Sequence, residues 1–284
     1  MPMPPDLSAV MTDVWHVLTK NNRWMSWNLF LAFVPLTLSA WLFLRGSQKR
    51  RWLFWLLFLD LLTFLPSARH VLTNILRFNM SIVTSELIWV VPLVCIPLYL
   101  LFISSAREHW QTFNWSILFL VFFAFLPNAP YVLTDIIHLY RDIRDIHSVW
   151  LITLVLIPVY VLFMGAGFEA YVLSLINLGS YLQRIGKSTW ILGTELIAHA
   201  LCAIGVYLGR FLRFNSWDFI TQPDILLTAV VEDLFGKRPV VIMIVTFAVI
   251  TGLYWLMKQI TLRIMGKNRL EAISAREEGK IDSL

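Results

Sequence analysis

Hydrophobic positions in this chain fall into long unbroken runs, not into the one-faced patterns of soluble helices or the alternation of strands. Runs near the length that crosses a bilayer occur at 26–44, 52–66, 86–104, 115–127, 149–170, 189–208 and 239–257. They predict an all-α fold, a polytopic transmembrane helical bundle of about seven spans. The second and fourth runs are short when cut at their prolines. They reach full length only if the continuations 67–76 and 128–137 stay within or beside the membrane. The apolar stretch 149–182 reads equally as one kinked helix or as two.

The fourth run does not end cleanly. It meets Pro127, Asn128, Ala129 and Pro130, so two residues without a backbone N–H and one amide interrupt a helix that apolar sequence would otherwise continue. Beyond the break, Asp135, His138 and Asp142 fall at i, i+3 and i+7, one face of a resumed helix. A polar stripe beside a membrane span is costly unless something uses it.

Phe64–Phe78 (FLPSARHVLTNILRF) aligns with Phe125–Leu139 (FLPNAPYVLTDIIHL), with 8 identities in 15 positions. The register then holds without a gap: Trp89 with Trp150, Pro97 with Pro158, Tyr99 with Tyr160. The repeated unit is a helical hairpin, 52–104 and 113–165, and two spans per unit give both copies the same orientation. Ser67, Arg69, His70, Asn74 and Arg77 of the first copy stand where the second has Asn128, Pro130, Tyr131, Asp135 and His138. A carboxylate-dependent role therefore belongs to the second copy.

Composition agrees with a membrane protein: 58% hydrophobic, 14% charged and a mean hydropathy of +0.70 over 284 residues. The net charge of +5 does not require nucleic acid, because Lys and Arg collect at span ends and in cytoplasmic loops. The basic loop Arg45, Lys49, Arg50, Arg51 and the tail with Lys258, Arg263, Lys267 and Arg269 are both expected on the cytoplasmic side. An odd number of spans then places the N-terminus outside and the C-terminus in the cytoplasm of a bacterial inner membrane. Residues 1–25 are expected as an interfacial segment, with Asp6 capping a helix whose Val10, Met11, Val14, Trp15 and Leu18 share a face. Residues 26–258 form the transmembrane domain, and 259–284 a polar basic tail. Cys95 and Cys202 lie in apolar spans, so no disulfide framework is implied.

Candidate chemistry gathers in two polar motifs. Asn128, Tyr131, Asp135 and His138 belong to the broken helix, with Asp142, Asp145 and His147 beyond them. Carboxylate and imidazole at this spacing could converge on a metal or work as an acid/base cluster, although the same pattern also suits an interfacial helix with pairs such as Arg141–Asp145. No metal is assigned. The second motif ends the sixth span: Arg210, Arg213, Asn215 and Asp218, interleaved with aromatic residues. The two arginines suit a phosphate or carboxylate at headgroup depth, or simply snorkel to the interface. Past Pro223, 224–235 reads as an amphipathic surface helix. Within spans, Asp60 and Glu169 stand alone, whereas Glu195 and His199 form an intramembrane polar pair at i, i+4, able to bond each other or to relay protons. Gly165, Gly167, Gly179, Ser174 and Ser180 suit close helix packing.

The stretches NLFLAFVP (Asn28–Pro35), FLPNAPYVLTD (Phe125–Asp135) and YLGRFLRFNSWD (Tyr207–Asp218) together resemble the bacterial integral-membrane proteins grouped as domain of unknown function 1361. The resemblance implies a multi-pass membrane protein and brings no activity or cofactor. Family members are expected to carry one such hairpin, so the copy at 52–104 looks like an insertion by duplication. No Walker loop, dinucleotide fingerprint, HExxH, GxSxG or CxxC pattern is present. Three roles fit: a carrier or binding protein with an outward-facing polar pocket; a membrane enzyme acting on a lipid-linked substrate; a structural subunit packing against membrane-protein partners. The lipid bilayer is the one partner common to all three.

Overall fold

A computed structural model describes residues 7–76, 108–212 and 237–281. The chain is helical throughout these: α1 (Leu7–Lys20), α2 (Asn22–Phe43), α3 (Gly46–Leu76), α4 (Glu108–Phe125), α5 (Asn128–Tyr131), α6 (Ile136–Asp145), α7 (Val149–Leu151), α8 (Ile157–Arg184), α9 (Ile191–Arg210) and α10 (Lys237–Ile281). Five stretches are long and apolar enough to cross a membrane: Asn22–Phe43, Asn114–Asp145, Val149–Arg184, Ser188–Arg210 and Pro239–Gly266. They coincide with five of the seven expected runs. The run 52–66 lies in α3, and 86–104 lies outside the described residues, as does the surface helix expected at 224–235.

α2 is the hub. Its side chains are buried on every side, with Phe30, Phe33, Leu36, Leu38, Leu42 and Phe43 among them, because α3, α4 and α8 surround it. A helix apolar all round suits such a position. Elsewhere large apolar side chains point outward: Phe54, Trp55 and Phe58 on α3, Leu192 and Ile197 on α9, Ile244, Val245 and Trp255 on α10. Outward apolar belts of this size suit hydrocarbon and not water.

Helix ends follow from local chemistry. After α2 the chain turns at Gly46 with φ 66, and α8 ends at Gly186 with φ 75, where a left-handed backbone suits glycine. Lys187 N–H reaches the Leu182 carbonyl at 2.9 Å and Gly186 N–H the Gln183 carbonyl at 3.1 Å, a Schellman closure. Arg184 donates to the Phe43 carbonyl, so both turns lie at one end of the bundle. Lys49 sits 4.3 Å over the Trp41 ring there. The apolar stretch from 149 is one continuous helical run: α7 passes through a π turn at Ile152–Leu156 into α8. Pro158 cannot donate and crowds the carbonyl four residues earlier, which a wide turn relieves.

The two aligned proline stretches, 64–78 and 125–139, differ in structure. Pro66 is carried inside α3, which stays helical to Leu76. At Pro127 and Pro130 two prolines three apart break the helix into α4, α5, a 3₁₀ turn at Val132–Asp135, and α6. A single proline removes one hydrogen bond, whereas two in one turn leave too few to hold the helix. On α1, Trp15 (69% exposed) and Met11 (65%) face outward while Val17 is buried.

Candidate functional site

The broken helix enters the bundle because two glycines let it approach. A Cβ on Gly205 of α9 would stand 2.7 Å from Pro127 Cβ, and one on Gly167 of α8 would stand 2.7 Å from Val132 Cγ2. Gly167 is one of the three glycines the sequence suggested for close packing. Gly179 makes only an ordinary 3.5 Å contact and Gly165 meets nothing within 4 Å, whereas Gly205 went unnoticed. At the break, Ala129 N–H bonds the Leu126 carbonyl at 3.2 Å and not that of Phe125. The Asn128 side-chain amide takes up the Phe125 carbonyl at 3.0 Å. Asn128 thus closes the preceding helix instead of capping the resumed one.

Past this turn the carboxylate of Asp135 is 1% exposed. Asn28 Nδ2 donates to its Oδ2 at 2.9 Å. Its Oδ1 has no hydrogen-bond partner; Arg210 Nη1 stands 3.6 Å away and His138 Nε2 3.9 Å. Arg210 is anchored by donating through Nη2 to the Thr134 carbonyl at 2.9 Å, and its guanidinium lies 5.9 Å over the Tyr131 ring. The two polar motifs, 75 residues apart in sequence, therefore meet through one charge pair. Asn28 lies six residues into α2, so the carboxylate is recessed about 9 Å from that helix end. Arg213, Asn215 and Asp218 lie outside the described residues.

About two turns further along the chain, Asp142 collects a second set of donors. Tyr160 Oη donates to Oδ2 at 2.8 Å, Asn21 Nδ2 reaches the same oxygen, and Lys20 Nζ lies 3.0 Å from Oδ1. Lys20 also reaches Asp145 at 3.3 Å, so Asp145 pairs with α1 and not, as expected, with Arg141. The hydrogen bond to Asp142 raises the Lys20 ammonium above its ordinary range. His138 packs at a tilt against Trp24, ring centroids 4.7 Å apart. Asp135, His138 and Asp142 do share one face of the resumed helix. It is turned toward α1 and α2, while His147 is exposed. Tyr160→Phe is expected to cost about 1.5–3 kcal/mol, the usual loss for a hydrogen bond to a charged acceptor, read from thermal unfolding in detergent. A cost indistinguishable from zero would mean that Lys20 and Asn21 suffice.

Glu195 and His199 do not bond each other as the i, i+4 spacing suggested. Glu195 Oε1 accepts from Tyr254 Oη at 2.7 Å and pairs with Lys258 Nζ at 2.5 Å, while His199 Nδ1 shares a 2.7 Å hydrogen bond with Tyr171 Oη. Asp60 accepts from Thr37 at 2.7 Å and Glu169 from Thr261 at 2.7 Å. Among the described residues no group of three or more His, Cys, Asp or Glu is placed to hold a metal.

Sequence reasoning missed the partners. Asn28, Asn21, Lys20 and Tyr160 come from helices distant in sequence. Only Asn28, a polar residue opening the apolar motif 28–35, carried a signal that could have been read.

No curated protein and no solved structure matches this chain. A family model does, in two overlapping stretches, residues 27–106 and 89–251. These contain the broken helix, the arginine that pairs with it and the first-span asparagine that holds it, so the multi-pass chain belongs to the family described as "Protein of unknown function (DUF1361)".

Proposed function

We propose that this protein is a carrier or binding protein for a small or headgroup-like polar ligand, taken up at the recess of Asp135, Arg210, His138 and Tyr131. The observation that carries this reading is the buried Asp135 Oδ1. It lacks a hydrogen-bond partner while two potential donors stand 3.6 and 3.9 Å away. A buried acceptor left open in this way is costly and rare in finished packing. A donor atom of a ligand satisfies it, and the neighbouring guanidinium offers further N–H groups to an anion. Arg213, Asn215 and Asp218 extend the same region in sequence, and Asn128 shapes its floor through the Phe125 carbonyl.

The recess is read as facing outward. The basic Gly46 turn and the stretch of α10 around Lys258 share the opposite end of the bundle: Arg184 of α8 reaches Phe43, and Lys258 of α10 reaches Glu195 near the start of α9. That end suits the cytoplasm. α3 leads away from it and α4 starts from it, as the seven-span arrangement requires. Two overlapping stretches of family match are compatible with a duplicated hairpin.

The test is a thermal-shift panel on the purified full chain with inorganic phosphate, glycerol 3-phosphate, phosphoethanolamine and glycerol as probes. At least one probe should stabilise the wild type and Asp145→Asn but not Asp135→Asn. No response from any probe, or the same response in Asp135→Asn, overturns the reading.

A further inference from the structure

A second polar cluster lies at the other end of α9, fifteen residues and about 22 Å along the helix from Arg210. We propose that Glu195, Tyr254, Lys258, His199 and Tyr171 form an intramembrane proton-binding site that opens toward the end of the bundle carrying the Gly46 turn. It is independent of the Asp135 recess.

Three helices supply the groups. α9 contributes Glu195 and His199, α10 contributes Tyr254 and Lys258, each pair at i, i+4, and α8 contributes Tyr171. Glu195 Oε1 holds Tyr254 Oη at 2.7 Å and Lys258 Nζ at 2.5 Å. One turn deeper, the His199 ring lies 4.6 Å from that of Tyr254 and shares the hydrogen bond with Tyr171 Oη. Exposure falls along this line: 23% of the side chain at Lys258 and 11% at Glu195, then 1% of the whole residue at His199. The gradient runs from the Lys258 end toward the interior of the bundle, with an ionisable or hydroxyl group at each step.

A packing role alone does not call for this arrangement. Apolar residues of similar volume would fill the same space between α9 and α10 without the desolvation cost of a carboxylate, an ammonium and an imidazole. The groups facing Glu195 and His199 are the tyrosines and Lys258 already named, with the buried Cys202 beside Tyr171. Glu169 is occupied by Thr261. Lys258 is thus the cation within reach of Glu195 among the described residues. The step balances simply. A proton from water adds to a Glu195 carboxylate oxygen, forming one O–H bond, and the ion pair with Lys258 is dissolved while the ammonium turns to solvent. Release returns the proton to water and restores the pair.

The test uses the full chain reconstituted in phosphatidylethanolamine–phosphatidylglycerol vesicles, with infrared difference spectra recorded between about pH 4 and about pH 9. A protonated-carboxyl stretch should appear on acidification, vanish in Glu195→Gln, and persist in Asp60→Asn and Glu169→Gln. Lys258→Gln, which removes the facing cation, should move its midpoint up by about one pH unit or more. That variant decides the matter if Glu195→Gln fails to fold. A wild type without a titrating carboxyl band, a band untouched by Glu195→Gln, or a midpoint unmoved in Lys258→Gln overturns the proposal.

Discussion

Arg210→Ala is expected to destabilise the protein by about 3–5 kcal/mol, the range for removing one partner of a buried ion pair. The carboxylate left behind, 1% exposed, would keep only the Asn28 hydrogen bond, and the Thr134 carbonyl would lose its donor. Asp135→Asn is expected to cost far less, about 1 kcal/mol. A neutral amide can still accept from Asn28, and Arg210, 17% exposed, can turn its guanidinium toward the interface. The two changes are therefore non-additive: the double variant should be more stable than Arg210→Ala alone. Thermal unfolding of the four proteins in one detergent measures this directly. If Arg210→Ala unfolds within about 0.5 kcal/mol of wild type, the limit for ordinary surface changes, the pair does not hold the broken helix in place.

The second large effect concerns two glycines that look alike in sequence. Gly205→Ala should cost about 1–3 kcal/mol, because its new methyl would stand 2.7 Å from Pro127 Cβ and a proline ring cannot rotate away. Gly165→Ala meets nothing within 4 Å. It should be neutral or stabilise by up to about 1 kcal/mol, the helix-propensity difference between the two residues. Opposite signs at two helical glycines would locate the close approach at the Pro127 turn. Equal effects would mean that the turn yields and that the contact is not what seats it.

What could be read along the chain was whatever depends on neighbours in sequence. The spans at 26–44, 115–127, 149–170, 189–208 and 239–257 were legible because crossing hydrocarbon demands a run of apolar residues, whatever they pack against. The break at Pro127–Pro130 was legible because proline's missing N–H and ring clash are local. The shared face of Asp135, His138 and Asp142 followed from helical periodicity alone. Lys258 illustrates the limit. It reads as one more basic residue after the last span, and becomes the partner of a buried glutamate only because α10 packs antiparallel to α9.

Sequence by itself thus determined the class of the molecule, most of its spans, and the residues where a helix must fail, since each follows from solvent and covalent geometry acting on a short stretch. Tertiary structure alone decided which charges are paired. Asn28, Asp135 and Arg210 meet because α2, the broken helix and α9 converge at one end. Gly167 and Gly205 admit that helix because their missing side chains happen to face it. Such facts depend on how helices turn about their axes and against which neighbours, and no stretch of chain carries that information until the whole bundle has packed.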